Sequence, residues 1–179
     1  MNLAQGLALF FSFYASREGP GANVPYPGPS AAFSACYTNV SQATLARFQI
    51  YSSLQPNVTN GETYNIGDED EGVSWEMLWP DLTSYFGLVG IGPDESFTIA
   101  GYMQEHSSEW KDWVNKHDLK EGAIEGTDFG FLTLIMGFAV FDRQYDLGKA
   151  RKIGFVEKKK TLDGYFEAFE LMREVKIIP

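Results

Sequence analysis

The sequence predicts an α+β, mainly helical fold, a single domain over residues 1–179 with one or two short strands. Three observations lead there. Apolar residues recur at helical spacing through most of the chain. Only residues 62–67 read as a full strand, and that strand has no obvious partner, although unpaired backbone groups cost free energy unless another strand satisfies them. The composition, 44% hydrophobic and 15% aromatic, supplies a real core and excludes a disordered chain.

The elements follow in order. Residues 1–18 predict a helix, with Leu3, Leu7, Phe10, Phe11 and Tyr14 at helical spacing and Leu9 and Phe13 widening its apolar face. Gly19-Pro20-Gly21 ends it. Residues 24–29 are extended and proline-locked. Ser41 caps a second helix reaching residue 54, and 57–61 form a turn. After the strand at 62–67 comes an acidic loop, Asp68-Glu69-Asp70-Glu71, read as a solvated turn because it lacks the calcium-loop spacing. Ser74 caps a helix to Phe86 with Trp75, Leu78, Trp79 and Leu82 on one broad face and Pro80 in its second turn. Residues 87–94 read as a loop. Helices are expected at 98–116, 129–141, 147–154 and 161–173, the last preceded by a solvated Lys158-Lys159-Lys160 loop.

Composition and charge exclude several functions. With 24 acidic and 14 basic residues the net charge is −10, a field that repels phosphate backbones, so no nucleic-acid partner is expected. The single Cys36 excludes an intrachain disulfide and a cysteine-based zinc site, and two histidines make a histidine-rich metal site unsupported. No apolar run is long enough to span a membrane, and the N-terminal stretch lacks a basic leader region, its first positive residue being Arg17. The expectation is a cytoplasmic protein with no membrane partner, no metal and no cofactor.

Several motifs recur in a set order. Met1-Asn2-Leu3 opens an aromatic helix, followed by Pro25-Tyr26-Pro27-Gly28. Tyr64-Asn65-Ile66-Gly67-Asp68 precedes Ser74-Trp75-Glu76-Met77-Leu78-Trp79. Asp142, Lys149-Ala150, Gly154-Phe155, Arg173 and the closing Ile177-Ile178-Pro179 complete the series. Together, across essentially all 179 residues, these resemble the C-terminal half of the progesterone 5β-reductase/iridoid synthase-like (PRISE) branch of the short-chain dehydrogenases, especially its fungal epimerase-like members. The resemblance implies the substrate-domain half of an extended short-chain dehydrogenase. In that family the other half holds the glycine-rich dinucleotide loop, the parallel sheet and the catalytic tyrosine and lysine. Here Gly87-Leu88-Val89-Gly90-Ile91-Gly92 is glycine-spaced, but it follows a helix and lacks a well-placed third glycine, so it reads as a loop. The chain is either a truncated reductase or a stand-alone descendant. A half-domain with this much apolar surface would aggregate unless it re-packs or oligomerises, which favours a stand-alone homodimer.

The candidate site lies between the helices at 1–18, 98–116 and 129–141. Tyr102, Met103, His106 and Trp110 share roughly one helical face. Tyr102, His106 and Tyr14 are the candidate catalytic donors. Phe10, Phe13, Met103, Trp110, Phe129, Phe131, Leu134 and Ile135 are the candidate substrate-binding residues, with core packing as the competing reading of each apolar one. In the family the 129–141 segment supplies the lid side of the substrate pocket. The retained pocket and missing redox half point to a cofactor-independent tailoring enzyme for an apolar natural product. Its reaction would be an isomerisation or cyclisation such as a Diels–Alder addition, which needs a shaped cavity and one donor. The alternatives are a truncated or complementing half of an NADPH-dependent enone reductase, and a non-catalytic small-molecule carrier.

Overall fold

Asn2 opens the fold by capping α1 (Leu3–Glu18), its side chain accepting from Ala4 N at 3.0 Å. A computed structural model describes residues 2–179. Every residue from Gly6 to Tyr14 is buried, so α1 is enclosed on all sides. Phe11 meets Trp79 and Phe86, Phe10 meets Phe97 and Tyr102, and Phe13 meets Trp113. The aromatic excess of this helix is therefore spent inside the chain.

Two strands form a parallel pair, β1 (Asn23–Tyr26) and β2 (Val89–Pro93), with Asn23 opposite Val89, Val24 opposite Gly90 and Pro25 opposite Ile91. This corrects two expectations. Residues 62–67 carry no ladder; Tyr64 instead donates its hydroxyl to Val58 O and Asn65 its amide to Asp146 O. The loop expected at 87–94 contains β2. Its glycines weaken the local strand signal, yet Gly90 is required by packing, because a Cβ there would lie 2.7 Å from Thr83 Oγ1 and 2.9 Å from the Trp79 ring.

Between the strands run α2 (Ser30–Ser34), α3 (Gln42–Leu54), α4 (Pro56–Thr59) and α5 (Trp75–Ser84). The caps at Ser41 and Ser74 form as the sequence predicts, accepting from Thr44 N and Met77 N. The turn expected at 57–61 begins instead as the single turn of α4, which proline starts from its first position. In α5, Pro80 lies inside the helix, and Trp79 Nε1 donates to Val24 O at 3.0 Å, tying it to β1.

The helix expected at 98–116 is broken. α6 (Ile99–Glu105) stops at His106, a 3₁₀ turn covers Ser107–Glu109, and α7 (Trp110–Lys116) resumes. The Ser107-Ser108 pair favours such a break, since serine competes for backbone hydrogen bonds. α8 (Phe129–Phe138) ends three residues short of the expected 141, and α9 (Gly148–Lys152) and α10 (Thr161–Glu174) complete the chain. α10 and α8 pack on α1, α6 packs on α8, and α5 lies against β2.

The acidic loop is not simply solvated. Asp68 is fully buried and accepts from Asn39 Nδ2 at 3.0 Å, Ser41 N at 2.7 Å and Ser41 Oγ at 2.8 Å. Glu69 accepts from Thr161 N at 2.8 Å at the start of α10. Asp70 pairs with Arg151 and Lys158, and Lys159 pairs with Glu167, so the lysine run is likewise anchored. Lys158 and Arg151 hold the Asp70 carboxyl below the usual carboxylate range.

Candidate functional site

Tyr102, His106 and Tyr14 come together at one end of α1. The Tyr102 ring centroid lies 4.7 Å from that of His106 and 4.9 Å from that of Tyr14. The first pair follows from helical spacing on α6; Tyr14 joins only because α1 crosses it. Tyr102 donates its hydroxyl to Glu18 Oε1 at 2.8 Å, and Arg17 pairs with both Glu18 and Glu109. His106 Nδ1 is 3.3 Å from Glu109 Oε1. Burial, then the Glu18 hydrogen bond, pushes the Tyr102 phenol well above its ordinary pKa. Burial, then the Glu18 charge, raises Tyr14, whose hydroxyl donates to Asn23 O at 2.8 Å. Both phenols stay protonated at neutral pH, so each can donate a hydrogen bond and neither can act as a base.

The candidate apolar residues divide into two groups. Phe10, Phe13, Met103 and Phe129 are buried, and Trp110 is half-buried with its ring 6.3 Å from that of Phe129. They fill the interior between α1, α6, α7 and α8. Phe131 and Leu134 face outward, 44% and 56% exposed, beside Phe138 at 71%, with Ile135 half-buried. This open face is a continuous apolar wall on α8.

A concavity lies elsewhere. A cleft of about 950 Å³ separates the N-terminal end of α1 and the first turns of α3 from α10. Leu3, Leu45, Ala168, Leu171 and Val175 are among its walls, and sequence reasoning did not mark it. The available signal was α3 itself, whose Leu45, Ile50 and Leu54 recur without a stripe that its own chain buries. A second, shallower hollow of about 470 Å³ lies beside Phe48 and Tyr64.

The glycine-spaced run does not form a dinucleotide loop. The glycine-spaced run leads into β2, and the space above Gly90 is occupied by Trp79 and Thr83 rather than left for a phosphate. Among the described residues, no three His, Cys, Asp or Glu side chains gather as a metal site would require. No described helix is long and apolar enough to cross a membrane.

The chain is 31% identical to the short chain dehydrogenase sirR of Leptosphaeria maculans, covering 99% of this chain and 46% of that protein. It is 32% identical to the short chain dehydrogenase ausT of Aspergillus calidoustus, over 97% of this chain and 43% of the relative. At 23% identity it also matches the (S)-8-oxocitronellyl enol synthase of Antirrhinum majus, over 100% of this chain and 45% of that enzyme. The chain spans about half the length of the curated relatives it matches. Residues 1–179 match the family described as the PRISE-like Rossmann-fold domain, and the chain belongs to that family.

Proposed function

We propose that this chain is the substrate-binding half of a short-chain dehydrogenase-type enzyme acting on an apolar small molecule in the cytosol, and that a nucleotide-binding half completes it. The observation that carries this reading is the open parallel sheet. Val24 and Tyr26 are fully buried on one face, whereas Val89 and Ile91 on the other are 47% and 41% exposed. Parallel sheets are normally covered on both faces, and among the described residues no strand lies beyond β2, an edge that invites another strand. The α8 wall of Phe131, Leu134 and Phe138 would then face the substrate, with Ile135 beneath it. The relatives' printed activities, dehydrogenase and enol synthase, support an enzyme of this class.

The test is reconstitution. The chain is mixed with the complementary half of sirR and assayed for NADPH oxidation with an apolar enone. Turnover by the mixture and by neither half alone is the expected result. Failure to associate, or NADPH turnover by this chain alone, would overturn the reading.

A second reading is favoured by Tyr102, a phenol kept protonated beside an aromatic interior. Once released from Glu18, its hydroxyl would polarise a substrate carbonyl without a cofactor, supporting an isomerisation or a cyclisation such as a Diels–Alder addition. Product formation from apolar polyenes or enones without nucleotide tests it. Tyr102→Phe should lower that rate at a temperature where the variant is still fully folded, and full activity in both Tyr102→Phe and His106→Ala would remove these donors from the mechanism.

A further inference from the structure

We propose that the cleft between α3 and α10 is a second small-molecule site, separate from the α8 wall, taking a neutral, elongated apolar ligand with one hydroxyl or carbonyl oxygen. The inference goes beyond the half-enzyme reading and does not depend on it.

The shape comes first. α3 and α10 touch at their N-terminal ends, where a Cβ on Gly164 would lie 2.9 Å from the Ser41 Cβ. From that contact the cleft runs along α10 past Ala168, Leu171 and Val175, with Leu45 and Ala46 on the facing helix. Small residues on facing helices usually let them close together. Here the helices flank an open cleft of about 950 Å³, at the upper end of the usual size for small-molecule sites, about 300–1,000 Å³.

The lining decides the ligand class. Leu45, Leu171 and Val175 are 42%, 60% and 57% exposed, large aliphatic side chains left in water around one concavity. Single exposed apolar residues are ordinary, but a cluster rimmed by polar groups marks a binding surface. The polar end is built rigidly. Fully buried Asp68 holds both Asn39 and the backbone and hydroxyl of Ser41, so the wall at that end is fixed before any ligand arrives. Amide side chains of Asn39 and Gln42 stand there, able to meet a neutral oxygen. Among the described residues, no lysine, arginine or histidine lines the cleft, and the one carboxylate there, Glu167, is paired with Lys159. A carboxylate or phosphate on the ligand would find no cation, in a chain of net charge −10.

The experiment uses the full chain and Nile red as a neutral apolar probe, followed by displacement with farnesol, farnesoic acid and farnesyl phosphate. Ala168→Trp should fill the cleft and weaken probe binding about tenfold or more, with thermal melting unchanged. If that variant folds poorly, Leu171→Gln at an exposed wall position serves instead. Val156→Ser, at an exposed apolar position outside both the cleft and the α8 wall, should leave binding as it was. Farnesol should displace the probe, and its acid and phosphate should not. Binding lost in Phe138→Ser, on the α8 wall, but kept in the cleft variants would assign the probe to α8 and overturn the proposal. Binding kept in all variants, or stronger displacement by the anions, would overturn it as well. None of these readouts involves nucleotide turnover, so the half-enzyme reading stands or falls separately.

Discussion

Two carboxylates show how far surroundings change a residue's work. Asp68 has no solvent exposure and anchors Asn39 and Ser41 through three hydrogen bonds. Removing it takes the shared acceptor from those half-buried donors, which water can only partly replace, so Asp68→Ala should cost about 1–3 kcal/mol, read as a lower urea midpoint. A loss within experimental error would mean that water replaces the carboxylate. Glu18 is partly exposed and is held below the usual carboxylate range, first by the Tyr102 hydroxyl and, against burial, by Arg17. A carboxyl depressed in the folded state stabilises the fold above its unfolded pKa, about 4.3. That contribution fades as pH falls through the lower, folded value. Melting followed from about pH 5 to about pH 3 should therefore fall more steeply in the unchanged chain than in Glu18→Gln. Parallel curves would show that the Tyr102–Glu18 contact does not discriminate the ionised form.

α8 carries two faces with different jobs. Leu132 is fully buried and lies against Gly6 of α1, whereas Phe138 is among the most exposed apolar residues. Leu132→Ala should cost about 2–5 kcal/mol through lost burial and an unfilled cavity. Phe138→Ser should change stability by about 0.5 kcal/mol or less, as surface substitutions do. Chemical denaturation of the two variants side by side checks the contrast. A large loss in Phe138→Ser would make the outer face structural and take away the proposed substrate wall. Tyr26 supports the same helix from the sheet, donating its buried hydroxyl to Met136 O at 2.6 Å.

The whole molecule combines a filled interior with open faces on β2 and α8. Alone, the chain is expected to self-associate as a homodimer through these faces, since contiguous apolar surface of this kind marks interaction sites. Light scattering at micromolar concentration should report a mass above that of the 20.0 kDa monomer. Adding the complementary half of a relative should dissolve that dimer in favour of a mixed complex, if both use the same surfaces. A clean monomer at all concentrations would remove the homodimer and weaken the argument from the open sheet.

Local chemistry by itself determined much of this protein. The 3.6-residue spacing of aromatic and aliphatic side chains defined α1, α5 and α10, and Ser41 and Ser74 marked helix starts, because a helix satisfies its backbone within its own segment. Tyr102 and His106 were legible as neighbours for the same reason, being four residues apart. The strands were not, because a ladder bond joins residues far apart in the chain. Glu62 to Gly67 has strand-like residues and no partner, whereas glycine-rich β2 has one in β1. Tertiary structure likewise decided that Phe10 and Phe13 are interior while Phe131 and Leu134 are open, since apolar spacing says which face is buried and not what buries it. It alone made the cleft: whether α3 lies flat on α10 or meets it only at Ser41 and Gly164 is a matter of long-range packing, which no segment of the sequence carries by itself.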